Sequence, residues 1–387
     1  VIRPFLKASG FRSSGAIPEV RDKVVITFNP IAGRRPTKHL ADRLASEIRR
    51  LGYHVYSFDD IWKASEAARE LDGQRLLRAF VAVGGDGTFA LQVNLTPPGM
   101  PLALLPAGTG NVTAKSLGLP KSPRVLARAI GRGKLFFFDA GLVNGKIFVN
   151  MVSCGFDAAV AARVHQLRQS NRRGGHINYG SYLGPIAEVL RHYPFPEIRV
   201  EPQPPAPSAR INPGETFQEL ILPSSHDMGP KNPWGNTPVG GEVPNFRETT
   251  GHLVTEVNQS PQHSPADSAA AQWAEPIRCR WVFLCNMPRY GWGLPIAPGA
   301  NPQDGLLNCW TFRWGSLWSG LWYVLWAQAG GLHRILPDCR HVMGSRFRIT
   351  VSQPIPWQTD GDPAGTLTPE DPLQVEVLPR RIGLILP

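Results

Sequence analysis

Cysteine is scarce. Five thiols are spread over 387 residues, at Cys154, Cys279, Cys285, Cys309 and Cys339, and no two form a CxxC pair. An odd, scattered set argues against a disulfide framework and against a thiolate zinc site. It fits a reducing compartment. Long apolar runs are missing too: no stretch of about 18 uncharged apolar residues is present, so no membrane span is expected. The first residues hold no apolar segment of the signal-peptide type, and there are no internal repeats. Acidic residues are outnumbered, 30 against 41 Lys and Arg, and the formal net charge is +11. That balance suits an anionic partner such as nucleotide phosphate, acidic lipid or nucleic acid. The basic residues are dispersed and no nucleic-acid-reading motif is present, so nucleic acid is not expected. The histidines, His165 and His176 among them, show no ligand spacing.

Glycine (39) and proline (38) are plentiful, so loops are many, and the length suffices for two domains with their own cores. Residues 24–28 form a short apolar run that ends in Asn29-Pro30-Ile31-Ala32-Gly33-Arg34-Arg35. Leu40, Leu44, Ile48 and Leu51 then share one helical face, closed by Gly52. A strand over 55–58, a helix over 61–78 and strands over 80–83 and 102–105 follow. Strand, loop and helix in this order predict an α/β N-terminal domain with an open parallel sheet, over residues 23–135. From 136 to 387 the pattern changes to short alternating runs at 136–142, 146–152, 198–201, 281–285, 305–312, 346–351 and 373–377. They predict an all-β domain of sandwich type, with helices over 156–168 and 180–192. Residues 1–22 read as a loose basic arm. Residues 202–275, rich in Pro, Ser, Gln, Asn and Gly, read as a flexible insertion.

The chemistry centres on Gly84-Gly85-Asp86-Gly87-Thr88. Glycines at a strand end let backbone approach a phosphate, and the following helix start offers N–H groups and a positive dipole end. Asp86 needs a bridging cation or hydroxyl in such a place. The dinucleotide fingerprint fails, because the next strand ends in Pro106-Ala107-Gly108 without the required acid. A P-loop fails at Ala114, where a glycine should precede the lysine. Three loops remain on one sheet edge: 29–33, 84–88 and 108–111. They offer N–H groups, hydroxyls, the Asn29 and Asn111 amides and one carboxylate, a set suited to a nucleotide polyphosphate.

Asn29-Pro30-Ile31-Ala32-Gly33, Gly84 to Thr88 and Pro106-Ala107-Gly108-Thr109-Gly110-Asn111 together resemble the diacylglycerol kinase catalytic family, which includes bacterial lipid kinases and sphingosine kinases. The resemblance continues through Asp139-Ala140-Gly141, Phe148-Val149-Asn150 and Ser153-Cys154-Gly155-Phe156-Asp157. It resumes at Ala297-Pro298-Gly299-Ala300 and Asp304-Gly305-Leu306-Leu307, and closes at Trp357-Gln358-Thr359-Asp360-Gly361-Asp362. It covers about residues 24–200 and 276–387 and implies phosphoryl transfer from ATP to a lipid hydroxyl, with Mg2+, in a cleft between an α/β domain and a β-sandwich. By motif position it implies that Asn29, Pro30, Ala32, Gly33, Gly84, Gly85, Asp86, Gly87, Thr88 and Thr109 hold ATP, with Asn111 beside them. Ser57 falls near a nucleotide-contacting strand end. Asp304, the Leu306 carbonyl and Asn301 match a structural magnesium site. Asp362 stands where the family has the glutamate taken as general base, with Asp86 as the second catalytic carboxylate.

The chain departs from the family at Phe89-Ala90-Leu91, where Asn-Glu is usual after the threonine, at Val112 in place of an aspartate, and at Asp362 itself. The first expectation is a diacylglycerol kinase giving phosphatidic acid. A kinase for a sphingoid base or another lipid, and a weakly active or non-catalytic binding regulator, are the alternatives. An NAD kinase shares the Gly-Gly-Asp-Gly turn but fits the later motifs less well. Trp314, Trp318, Trp322 and Trp326 recur every four residues, a stripe suited either to a membrane interface or to packing on the sandwich. Arg163, Arg168, Arg172 and Arg173 form a basic segment that suits anionic headgroups or water equally. The expected partners are a lipid substrate and an anionic membrane surface, at a cytoplasmic and peripherally membrane-associated location, and the reading allows a homodimer.

Overall fold

Residues 11–12, 15–29, 37–170, 183–205 and 276–387 are described by the structure, a computed structural model; all fall within one compact unit. Pro30, Ala32, Gly33, Arg172, Arg173, His176 and residues 206–275 of the insertion expected over 202–275 lie outside the described residues, while its first residues, Pro202 and Gln203, are strand, paired with Phe347 and Arg346. Where it is described, the stretch read as a loose arm is docked. Gly15–Ala16 (β1) pairs antiparallel with residues 134–135. Phe11 and Ile17 are buried, Phe11 edge-on to Phe138. Two apolar anchors in a basic background account for this.

The parallel sheet forms as expected. Lys23–Phe28 (β2), His54–Phe58 (β3), Leu77–Gly84 (β4) and Pro101–Pro106 (β5) lie in the order β3-β2-β4-β5. Every residue of β4 and β5 is buried, as central parallel strands require. Strand alternation divides the side chains between two layers. Val24 and Ile26 face Thr37–Arg50 (α1) and Pro123–Arg132 (α5), while Val25, Phe80 and Ala82 face Ile61–Gly73 (α2) and Asp86–Leu95 (α3). Leu51 departs from its expected place: α1 ends at Arg50, and Leu51 is 48% exposed as Gly52 turns the chain at φ 89. The helix expected to reach residue 78 stops at Gly73, because Arg75 turns at φ 58 into β4. Val112–Leu117 (α4) and α5 were not anticipated, although Pro123 at the start of α5 and Gly133 after its end are ordinary helix signals.

The second half forms an antiparallel sandwich. Its strands are Lys134–Val143 (β6), Lys146–Phe148 (β7), Met151–Cys154 (β8), Ile198–Gln203 (β9), Ile277–Cys279 (β10), Trp281–Cys285 (β11), Leu307–Phe312 (β12), Cys339–Gly344 (β13), Arg346–Val351 (β14), Ile355–Thr359 (β15), Asp362–Leu367 (β16) and Leu373–Ile385 (β17). Phe156–Ser170 (α6), Leu183–His192 (α7) and Leu317–Gln328 (α8) interrupt them. One sheet runs β13-β12-β11-β8-β15-β16. The other sheet is continuous with the α/β domain through β17. Residues 373–376 pair antiparallel with β14, and Gly383 and Leu384 pair parallel with β5. The periodicity showed only residues 373–377 of this strand, because an irregularity between Leu378 and Ile382 breaks its alternation.

The run expected at 146–152 is broken at Val149-Asn150. There the N–H groups of Val149, Asn150 and Met151 donate to the Asp360 carboxylate at 2.8, 2.7 and 3.0 Å. Asp360 and Gly361, at φ 54 and 95, form the two-residue turn between the paired residues Thr359 and Asp362. Both need φ > 0, which explains an Asp-Gly pair here. Burial first, and the nearby Asp86 last, raise the Asp360 carboxyl from 3.8 to about 6 against the pull of three N–H donors. A raised carboxyl stabilises the fold when protonated. Its contribution is full below pH 3.8 and is lost as pH rises through about 6. Denaturant unfolding of the native protein and Asp360→Asn, measured from pH 4 to 7, should therefore show the native protein losing up to about 3 kcal/mol relative to the variant. A constant difference across that range would contradict the account.

Candidate active site

Two glycine loops meet at the C-terminal edge of the parallel sheet. Residues 84–88 follow β4 and residues 106–111 follow β5, and Ala107 N–H donates to the Gly84 carbonyl at 2.8 Å. Gly85 and Gly108 touch backbone to backbone: a Cβ on Gly108 would lie 2.5 Å from the Gly85 Cα. Glycine is required at 108 for close approach, since φ there is ordinary. Thr88 is buried over Gly84, filling the space where a side chain on that glycine would stand. Asn111 takes the left-handed conformation, φ 48. Its amide clasps Gly108 at both ends, accepting from the N–H at 3.0 Å and donating to the carbonyl at 2.6 Å. The sequence reading gave Asn111 to the nucleotide; the structure commits its amide to the loop.

Asp86 acquires a comparable task. Its two oxygens accept from Val112 N–H and Thr113 N–H, both at 2.9 Å, so it caps α4 from 26 residues upstream. Among the described residues no side chain caps α3, whose N-cap is Gly85. Two helix starts thus stand on one sheet edge, and Asp86 closes one of them. The other presents its N-terminal dipole end beside the Gly85–Gly108 contact, an arrangement suited to phosphate.

Asn29 is buried at the end of β2, where its carbonyl accepts from Thr37 Oγ1 at 2.5 Å. Ser57 and Thr109 are exposed, Ser57 near the end of edge strand β3. The second half of the fold supplies Asp362. It is exposed at the start of β16, with Oδ2 3.5 Å from where a Cβ on Gly87 would lie. Residues more than 270 positions apart thereby share one cleft. Sequence reading missed what holds them there. Thr113 Oγ1 donates to Asn150 Oδ1 at 2.9 Å, tying α4 to the β7–β8 link. Gln358 Oε1 accepts from Gly361 N–H at 2.7 Å, and its Nε2 donates to Ser153 Oγ at 2.7 Å and to Asp157 and Tyr290 at 3.2 Å. Ser153 also donates to Asp157. Burial raises the Asp157 carboxyl. This network fixes the turn that presents Asp362. Its only sequence trace was the Ser-Cys-Gly-Phe-Asp and Gln-Thr-Asp-Gly-Asp runs, which carry no geometry.

Asp304, Asn301 and Leu306 lie on the loop before β12, away from the glycine loops in sequence. Asp304 accepts from Leu306 N–H at 3.0 Å and Asn301 Oδ1 from Gln303 N–H at 3.2 Å. Asp139 is buried under this loop, accepting from Gly305 N–H and Arg380 N–H at 2.7 Å. Burial raises both carboxyls, and Asp304 raises Asp139 further. Both Asp139 oxygens are taken by backbone N–H groups, which leaves the Asp304 carboxylate, the Asn301 amide and the Leu306 carbonyl as oxygens of the kind a hard divalent cation takes. Among the described residues no cluster of three or more His, Cys, Asp or Glu side chains forms a cation cage. Any ion here would need backbone, amide or water oxygens as well.

Comparison with known proteins divides the chain into the same two halves. The model of the diacylglycerol kinase catalytic domain matches residues 23–143, and that of the YegS C-terminal NAD kinase beta sandwich-like domain matches residues 267–386. A diacylglycerol kinase of Mycobacterium tuberculosis is 31% identical over 185 residues, 45% of this chain and 57% of that protein. One from Bacillus subtilis is 34% identical over 142 residues, 34% of this chain and 45% of that protein. The chain thus spans about half the length of the curated relatives it matches. A crystal structure of a diacylglycerol kinase from Bacillus anthracis, 14% identical, superposes with a TM-score of 0.56 over 95% of this chain and 97% of that one, which establishes the shared fold. The catalytic-domain model covers the glycine loops and the sandwich model covers Asp304 and Asp362, so over residues 23–143 and 267–386 the chain is similar to lipid kinases of the diacylglycerol kinase type.

Proposed function

We propose that this chain is a lipid kinase that binds ATP on the open start of α3 and transfers the γ-phosphoryl group to a lipid hydroxyl, diacylglycerol first among them. The observation that carries the reading is the division of labour at the sheet edge. Asp86 closes α4 while α3 faces the cleft across from Asp362. Polyphosphate lies along residues 84–88 and 108–109, with Asn29 and Ser57 on the nucleoside side. The acceptor hydroxyl gives its proton to Asp362 as its oxygen bonds to the γ-phosphorus, and the bond to the ADP oxygen breaks. Asp304, Asn301 and the Leu306 carbonyl would hold a divalent cation, with Asp139 anchoring their loop. Bound there, the ion supplies positive charge that offsets the two facing carboxylates. Gln358 and Asp360 act through the turn, as positioning residues.

Labelled ATP offered with diacylglycerol, sphingosine and ceramide tests the reading. Transfer to diacylglycerol is expected, with Asp362→Asn lowering kcat by about a hundredfold or more at unchanged thermal stability, and Asp362→Glu retaining activity. Full activity in Asp362→Asn would remove that residue from the chemistry. Ala90 and Leu91, half-buried on α3, offer no polar side chain where the family has two. That favours a binding regulator as the second reading, and ATP binding without transfer to any lipid would establish it.

Gly108→Ala probes the shelf itself. A methyl group at that position must part the two loops, because it would lie 2.5 Å from Gly85 Cα. Displacement near 1 Å at a catalytic centre costs about a hundredfold, so turnover should fall by that order. The thermal midpoint should fall as well, since Gly84, Thr88 and Asn111 are buried, so turnover is compared at a temperature where the variant is folded. Unchanged kinetics would place the nucleotide elsewhere.

A further inference from the structure

More than half of the large apolar side chains that the described residues leave exposed lie between Trp314 and Ile335. Trp318 is 77% exposed, Trp314 56%, Leu325 56% and Ile335 65%. Fraying does not explain this, because α8 is firmly seated. Its inward stripe is Gly320, Tyr323 and Ala327. Gly320 sits against the Trp281 ring, which a Cβ would approach to 2.9 Å. The Tyr323 ring packs on Phe312 at 4.8 Å, its hydroxyl donates to Asp338, and Trp314 N–H donates to that hydroxyl at 3.3 Å. Ser316 and Ser319 form a reciprocal capping box. The helix is fixed with its small residues and one tyrosine inward and its tryptophans outward. Only Trp326 is half-buried, edge-on to Trp322 at 5.5 Å. Packing of the tryptophan stripe into the sandwich, one of the two sequence readings, does not occur at Trp314, Trp318 or Trp322.

Along the chain, residues 305–337 carry charge of one sign. No acidic residue occurs between Gly305 and Pro337, α8 carries no charge at all, and the next acid, Asp338, is taken up by Tyr323. Exposed arginines flank the helix. Arg313 lies over the Trp314 ring at 5.1 Å, and Arg334 sits beside Ile335 on the short 3-10 turn Leu332–Ile335 that packs against α8. Indole rings favour the boundary between headgroups and acyl chains, exposed apolar side chains on a seated helix gain by burial there, and basic residues beside it meet anionic headgroups. No helix among the described residues is long and apolar enough to cross a membrane.

We propose that α8 is a docking element for an anionic lipid bilayer. Trp318, Trp322 and Leu325 enter the headgroup–acyl boundary, with Arg313 and Arg334 against lipid phosphates. The inference rests on exposure and charge alone and needs neither ATP nor a lipid acceptor, so it stands or falls apart from the kinase reading.

Flotation of the full chain with phosphatidylcholine vesicles, with and without phosphatidylserine, tests it. Binding is expected to phosphatidylserine vesicles, with a blue shift of tryptophan emission and quenching by lipids brominated near the headgroup. Trp318→Ser with Trp322→Ser should weaken binding by about tenfold or more. Arg313→Ala should weaken it about fivefold, an effect erased by high salt. Should the double variant fold poorly, judged by circular dichroism, quenching in the native protein decides alone. Absence of quenching, or equal binding to phosphatidylcholine vesicles, would overturn the proposal. So would a native dimer, seen by sedimentation, that the double variant dissociates, because a second copy would then cover the face.

Discussion

The two halves of this fold meet on one carboxylate. Asp360 collects three consecutive N–H groups from the link between β7 and β8, and that link is gripped from the other side by α4 through Thr113 and Asn150. Three backbone donors aimed at one partly desolvated group form a rigid joint, because each unsatisfied N–H would cost about 1–3 kcal/mol. Asp86, the cap of α4, lies near enough to disfavour the Asp360 charge. Capping on one side and backbone capture on the other hold α4 and the turn at 360–361 to the same β7–β8 link. Asp362, two residues beyond the joint, inherits its position from it.

Glycine at 85 and 108 has a separate physical role. These residues let two strand-end loops lie in van der Waals contact, with no side chain between them and the space above. The first loop opens α3 without a cap and the second is clasped by Asn111. The result is asymmetric: one helix start has no side-chain cap, as suits an anion, and the neighbouring one is closed by an internal carboxylate.

Much of this was legible. Strand ends, glycine loops and the order of α/β and all-β halves follow from periodicity and turn chemistry, which act over a few residues. Leu51 and the overlong second helix show the limits, since a single positive φ at Gly52 or Arg75 ends a pattern that composition would continue. β17 was seen for less than half its length. Its irregularity near Arg380 interrupts the alternation while pairing with β6 continues on both sides.

The sequence by itself determined which residues are available at the sheet edge, that an α/β half precedes an all-β half, and that residues 305–337 carry no acid. Only the tertiary structure decided what each group does. Asp86 faces α4 because Val112 and Thr113 fold back beside it. Asn111 serves its own loop because φ 48 turns its amide onto Gly108. Trp318 and Trp322 of α8 face outward because Gly320 and Tyr323 make the closer fit to Trp281 and Phe312. Local patterns fix backbone shape at short range; a carboxylate takes its partners from whatever the fold brings within 3 Å, and those lie 26 residues away for Asp86 and more than 200 for Asp360.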